Sequence, residues 1–112
     1  MEYEKMMQKT IDIYHERASQ YGDVRNMLDR QSKLATLMLG RPVTAYDVAM
    51  ILHACKLGRI QVVKDSADSY MDGINYLAFA GAIATEGKEL EDGIADIARK
   101  FAPRTSEIDD QR

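Results

Sequence analysis

Two basic and two acidic residues stand at helical spacings in the middle of the sequence. Lys56 and Arg59 are three positions apart and Asp68 and Asp72 are four apart, so each pair projects from one side of its helix. The connection between them is short, which predicts neighbouring, roughly antiparallel helices. Two chemistries are open to such a cluster. Either the charges form an interhelical salt-bridge network, or the carboxylates hold Mg²⁺ while the cations bind phosphate.

A second candidate site is an elbow of three residues, Tyr21-Gly22-Asp23, with Asn26 one turn further on. Gly22 can end one helix and Asp23 can cap the next, so the plain interpretation is a turn with an N-cap. The functional alternative is an anion bound by the N–H groups of the helix start, with Tyr21 as a stacking surface. An anionic Asp23 opposes a phosphate at this position unless a metal or a proton intervenes.

Length and composition restrict the class of protein. The chain has 112 residues, enough for one domain with a modest core. It carries 15 basic and 18 acidic residues, a net charge of −3, which argues against a dedicated nucleic-acid binder. The charged N-terminus lacks the apolar segment of a signal peptide, and no run approaches the ~20 apolar residues of a membrane span. We therefore expect a cytoplasmic protein without nucleic-acid or membrane partners.

Apolar residues recur at spacings of three and four along most of the chain, which predicts an all-α protein. The predicted helices cover about 2–20, 24–39, 45–63, 67–85 and 88–101. Gly40 is expected to end the second helix, and Thr44 with Asp47 has the shape of a capping box for the third. Gly87 is expected to break the chain before the fifth helix, and Pro103 is expected to stop that helix.

These elements predict a single helical domain over residues 1–103, a bundle of four to five helices, followed by a disordered tail at 104–112. The last helix has an amphipathic stripe, formed by Leu90, Ile94, Ile97 and Phe101. Folding at this size buries only about 65% of the unfolded chain's surface. Helices packed across a subunit interface would enlarge the core, so we expect a homo-oligomer.

Three segments of the sequence form an ordered set of motifs. They are Gln20-Tyr21-Gly22-Asp23 with Asn26, then Val43-Thr44-Ala45-Tyr46-Asp47-Val48-Ala49 leading to Lys56-Leu57-Gly58-Arg59, and then Asp68-Ser69-Tyr70-Met71-Asp72-Gly73-Ile74-Asn75-Tyr76. Their order and spacing resemble a family of small helical proteins encoded by phages and prophages. The resemblance covers about residues 14–85, and it implies no settled activity.

That pattern is in turn loosely similar to the MazG-like all-α nucleotide pyrophosphohydrolases, which hold Mg²⁺ over a nucleoside triphosphate with paired acids on neighbouring helices. The similarity implies metal roles for Asp68 and Asp72, phosphate roles for Lys56 and Arg59, and base stacking by Tyr21 or Tyr76. The sequence departs from that group, whose Glu-x-x-Glu and Glu-x-x-Asp pairs lie on successive helices. Here the second helix has no such pair, and the third has only Asp47 near its start.

Three functions follow from these patterns. The first is binding of a nucleotide or a related phosphorylated small molecule between helices, without turnover, by which a phage could sequester a host signalling nucleotide in the bacterial cytoplasm. Its candidate ligand-binding residues are Tyr21, Asp23, Asn26, Lys56, Arg59 and Tyr76, with Asp68 and Asp72 as candidate Mg²⁺ ligands. The second is Mg²⁺-dependent hydrolysis of a nucleoside triphosphate. The third is a protein-binding module that acts on a host partner.

Overall fold

The computed structural model describes residues 1–101, except for the side chains of residues 89–92. This part of the chain is helical without any strand, which confirms the predicted all-α class. Its helices are α1 (Tyr3–Tyr21), α2 (Val24–Leu39), α3 (Ala45–Val62) and α4 (Ala67–Phe101). α3 packs against α4, while α2 packs on α3 and α1 packs on α4. The predicted disorder of residues 104–112 and the stop at Pro103 lie outside the described residues.

The elbow between α1 and α2 takes the form that the sequence predicts. Gly22 has φ 84° and ψ −161°, a backbone conformation that is open essentially to glycine alone. Its N–H donates to the Ala18 carbonyl at 2.9 Å and closes the end of α1. Asp23 then caps α2, because its carboxylate accepts from the Arg25 N–H at 3.0 Å.

The loop between α2 and α3 is fixed by side-chain hydrogen bonds at both of its ends. Gly40 ends α2 in the left-handed conformation, with φ 70° and ψ 21°. The Thr36 hydroxyl donates to the Val43 carbonyl at 3.2 Å and accepts from the Val43 N–H at 2.9 Å. The predicted capping box is confirmed. The Asp47 carboxylate accepts from the Thr44 N–H at 2.9 Å, and the Thr44 hydroxyl accepts from the Asp47 N–H at 3.1 Å.

α3 and α4 form an antiparallel hairpin because only four residues, 63–66, connect them. The two helices approach closely at Gly73, where an added Cβ would lie 3.4 Å from the Lys56 Cβ. The carbonyl of Gly73 is also 2.7 Å from the His53 Nδ1. Glycine in the middle of this helix therefore allows the close packing of α3 on α4. The close contact places Lys56 on α3 opposite Asp72 on α4.

The predicted break at Gly87 is wrong. α4 runs without interruption from Ala67 to Phe101, and it unites the predicted fourth and fifth helices. Glycine lowers helix stability by only ~1 kcal/mol relative to alanine, so a single glycine does not have to end a helix. The φ of Gly87 is not positive, unlike the values at the two helix-ending residues Gly22 and Gly40.

The buried core is small, and the molecule is elongated. Its fully buried cluster joins α2, α3 and α4 through Leu28, Ala45, Val48, Ala49 and Ala80. The radius of gyration is 19.4 Å, whereas a compact domain of this length has a value of ~13 Å. A 35-residue helix is by itself ~52 Å long, so α4 accounts for most of the 59 Å length. No described helix has the length and apolar character that crossing a bilayer requires.

Candidate functional site

The candidate site is built around a buried carboxylate on α4. Asp72 is only 6% exposed, and each of its oxygens contacts a cation. Oδ1 lies 3.0 Å from Nη2 of Arg17 on α1, and Oδ2 lies 3.1 Å from Nζ of Lys56 on α3. A buried carboxylate is costly unless it is paired, and two cations satisfy this one. The cluster ties three helices together at one point.

A cavity of about 260 Å³ opens beside this cluster, between α1, α2 and α4. Four of its lining residues are aromatic, and the other six are Gly22 of the elbow, two apolar residues and three polar ones. The complete lining is Tyr14, Arg17, Tyr21, Gly22, Val24, Met27, Asp72, Asn75, Tyr76 and Phe79. The walls are thus apolar, with the charged residues Arg17 and Asp72 also in the lining. This combination suits a planar ring that carries a polar or anionic substituent.

The aromatic rings contact one another at an angle, with one tilted pair and one edge-to-face pair. Phe79 lies 5.8 Å from Tyr14 at an interplanar angle of 56°, and 6.2 Å from Tyr76 at an angle of 76°. Tyr21 differs from them because it is 75% exposed at the end of α1. Its ring is accessible for a contact with a bound molecule, whereas the other three rings are only partly exposed.

A buried crossing of α1 over α4 supports the floor of the cavity. Thr10 is 4% exposed, and its backbone carbonyl accepts from Nδ2 of Asn75 at 3.1 Å. The Thr10 hydroxyl donates to the Met6 carbonyl within α1 at 2.7 Å. The hydrogen bond from its amide nitrogen therefore orients the Asn75 side chain. Asn75 lines the cavity, and its Oδ1 is a hydrogen-bond acceptor.

The structure separates the predicted site residues into two groups. Tyr21, Tyr76 and Asp72 line the cavity, and Lys56 reaches it through Asp72. Four others lie outside this cavity: Asp23, Asn26, Arg59 and Asp68. Asp23 caps α2, while the side chains of the other three are exposed. The expected meeting of two cations with two carboxylates is reduced to the single pair Lys56–Asp72.

Arg17 is the charged residue of the site that the sequence patterns did not single out, and it belongs to α1 rather than to α3. The aromatic residues Tyr14 and Phe79 were not among the candidate site residues either. The position of Arg17 held a signal. Arg17 stands three residues after Tyr14 and four before Tyr21, so it shares the face of both rings. A cation between two aromatic residues is unexpected on an otherwise apolar stripe, and this is the signal. The spacing alone could not show that Asp72 lies opposite.

A second, smaller cavity of about 210 Å³ lies where α2 meets α4, and its lining includes Asp23, Arg25 and Glu86. Arg25 forms an ion pair with Asp29 within α2, at 3.1 Å, and a second one with Glu86 that bridges α2 and α4. The hydrogen bonds from Arg25 to Asp29 and Glu86 raise the pKa of Arg25 above its usual value. The acidic groups at this cavity are thus already engaged with a cation or with the start of α2.

The arrangement around Asp72 does not fit a Mg²⁺ site of two carboxylates. Both oxygens of Asp72 are in contact with cations, and Asp68 is exposed one turn earlier. Among the residues that the structure describes, no three His, Cys, Asp or Glu side chains come together in a group that could hold a metal ion. The geometry suits the recognition of an anion by Arg17 better than the coordination of a cation.

Comparisons with known proteins place the chain in a family but give no activity. No curated protein matches it, and no solved structure does. A family model described as a domain of unknown function, DUF6378, matches residues 5–84. That range contains every residue of the cavity and of the ion cluster. Because the match covers more than half of its length, the chain belongs to the DUF6378 family.

Proposed function

We propose that this protein binds a nucleotide or a related phosphorylated small molecule in the cavity between α1, α2 and α4, and holds it without turnover. The observation that carries the proposal is the combination of an aromatic wall with Arg17 beside a buried, neutralised carboxylate. Within this proposal the protein is of phage or prophage origin and acts in the cytoplasm of the bacterial host.

The size of the cavity favours a ligand of which only one part is enclosed. A volume of about 260 Å³ is slightly below the ~300–1,000 Å³ of sites that enclose a whole drug-sized ligand. A base therefore fits between the rings of Tyr21, Tyr76 and Phe79, and its phosphates lie outside the aromatic wall. Arg17 is 51% exposed, so its guanidinium can contact both Asp72 and a phosphate at the mouth.

The charge balance supports binding rather than hydrolysis. Asp72 contacts two cations, and these leave a formal excess of one positive charge in the cluster, which favours an anionic ligand. A pyrophosphohydrolase needs carboxylates that are available for Mg²⁺, and the cavity contains Asp72 alone. Hydrolysis remains the alternative that the experiment below distinguishes by the fate of the ligand.

We also propose that the chain forms a homo-oligomer, because so small a core leaves large apolar side chains outside. Leu37 and Met38 on α2 and Tyr3 on α1 are more than 80% exposed. Surfaces of this kind favour association with another protein surface. They also keep open the third function, a module that binds a host partner.

A thermal-shift screen of nucleotides and cyclic dinucleotides, with and without Mg²⁺, tests the ligand proposal. A ligand at 100 times its Kd stabilises the folded state by about 2.7 kcal/mol, which raises Tm by ~10 °C for a domain of this size. The ligand should be recovered intact. Release of pyrophosphate would support hydrolysis instead, and no stabilisation across the panel would refute the proposal.

Two matched pairs of variants locate the site. Arg17→Gln and Tyr21→Ala should weaken binding at least tenfold, because they remove the cation and the accessible ring. Arg30→Gln and Tyr3→Ala are the controls, with the same substitutions at exposed positions away from the cavity. Equal affinity of all four variants would place the ligand elsewhere.

A further inference from the structure

Asn75 lines the cavity from α4, and its side-chain amide is held in one orientation. The atom of this amide that lies 3.1 Å from the Thr10 carbonyl is the nitrogen Nδ2, because a carbonyl oxygen accepts and cannot donate. The reversed amide would set two acceptors against each other beside a residue that is only 4% exposed, which is costly. The oxygen Oδ1 is therefore turned away from Thr10.

This oxygen is an unpaired acceptor that solvent reaches. The bond from Nδ2 is the one hydrogen bond of the Asn75 side chain within the described part of the chain. The one buried side-chain polar atom without a partner in that same part is Oε1 of Gln31, so Oδ1 of Asn75 is unpaired but not buried. Asn75 is three residues after Asp72 and four before Phe79, so it shares the face of α4 that lines the cavity. The cavity is therefore the space that Oδ1 faces.

The other polar side chains of the lining do not duplicate this acceptor. Both oxygens of Asp72 contact cations, and the guanidinium of Arg17 can only donate. The hydroxyl groups of the three tyrosines in the lining can donate or accept, so they adjust to either kind of partner. Among the side chains that line this cavity, Asn75 thus presents the acceptor that is neither engaged nor able to act as a donor.

We propose that Asn75 selects the base of the ligand by accepting a hydrogen bond from an N–H group on the edge of that base. The class of ligand is a nucleotide whose base carries an exocyclic amino group or a ring N–H at this edge. The inference rests on the proposed binding of a nucleotide in the cavity. A base without such a donor takes the place of water at Oδ1 and leaves the oxygen unpaired, whereas a base with one replaces the hydrogen bond that water made.

The two polar contacts of the ligand lie at different levels of the cavity. Thr10, which orients Asn75, is buried, whereas Arg17 is 51% exposed. These two residues are seven positions apart on α1, which is about 10 Å along the helix. The edge of the base therefore meets Asn75 at the floor of the cavity, and the phosphates meet Arg17 at its mouth.

The test compares nucleoside triphosphates that differ at the edge of the base. Adenosine triphosphate has an amino group, inosine triphosphate has a ring N–H, and the triphosphate of purine riboside has neither. The matching pyrimidine set is the triphosphates of cytidine, uridine and 2-pyrimidinone riboside. Isothermal titration calorimetry with the full chain gives the Kd of each. In the set that binds more tightly, the better of the first two should bind about tenfold more tightly than the third.

Two variants separate recognition of the base from support of the cavity. Asn75→Ala removes Oδ1, so the difference in Kd within the set should disappear. Met27→Ala is the control, because it truncates an apolar residue of the same lining. It should weaken the binding of all three nucleotides by a similar factor and keep the tenfold ratio. A residue that only supports the fold would behave like Met27, and circular dichroism checks that both variants remain helical.

The outcomes distinguish this inference from the proposal on which it rests. Equal binding of all three nucleotides to the wild type would overturn the role of Asn75 and leave nucleotide binding intact. A ratio that persists in Asn75→Ala would assign the selection of the base to another residue. No binding of either set would overturn both proposals. The wild-type ratio needs no variant, so it decides the question even if Asn75→Ala does not fold.

Discussion

Removing the charge of Asp72 should destabilise the fold more than any other single charge change in the described chain. The change Asp72→Asn keeps the size of the side chain and leaves Lys56 and Arg17 facing a neutral group. Breaking a buried ion pair by removing one partner costs about 3–5 kcal/mol. Arg17 is 51% exposed and is screened by water, while Lys56 is only 16% exposed.

The expected loss is therefore smaller than that range, at about 2–3 kcal/mol, and it comes mainly from the stranded Lys56. Such a loss lowers the Tm of a domain of this size by ~8–12 °C. Urea unfolding followed by circular dichroism measures the free energy directly. Asp12→Asn is the control, because it is the same change at an exposed position of α1 and should shift stability by less than ~0.5 kcal/mol.

A double-mutant cycle then tests the cause. Lys56→Met removes the cation but keeps the length of the side chain, and it should cost less in the Asp72→Asn background than in the wild type. The coupling energy should lie at about 1–2 kcal/mol, within the range for residues in direct contact. Additive losses, or equal effects of Asp72→Asn and Asp12→Asn, would refute the view that the cluster acts as a buried network.

Two further predictions concern the helices. Gly87→Ala should stabilise the fold by about 0.5–1 kcal/mol in urea unfolding, because α4 is continuous there and an added Cβ meets nothing within 4 Å; a loss of stability would indicate a helix break. Thr44→Ala should cost about 1 kcal/mol in the same assay, because it removes one side of the capping box, and an unchanged midpoint would show that the box contributes nothing.

The local signals in the sequence were sufficient for the first three helices. Gly22, Gly40 and the pair Thr44 and Asp47 act through their own backbone geometry, so their effect is readable without knowledge of the fold. The prediction of a break at Gly87 is wrong because glycine occurs in helices for two different reasons. It ends a helix where φ is positive and merely weakens it elsewhere, and the residue type alone does not distinguish these cases.

The site was less predictable than the fold because it depends on how helices cross. Spacing along α3 and α4 found Lys56 and Asp72, which face each other in the hairpin. It could not find Arg17, since α1 reaches Asp72 only through its crossing near Thr10. Arg59 and Asp68 have the correct spacing on their helices, yet a shift of one turn along a helix is enough to carry a side chain away from the cavity.

The continuity of α4 has a consequence for how such a protein can change. The family match ends at residue 84, close to the point where the bundle ends, while the helix continues to Phe101. Insertions or deletions of whole turns beyond residue 86 change the length of α4 without moving any residue of the cavity. The cavity and the exposed apolar residues Ile94, Ile97 and Phe101 therefore belong to separate stretches of one helix, and either stretch can vary without disturbing the other.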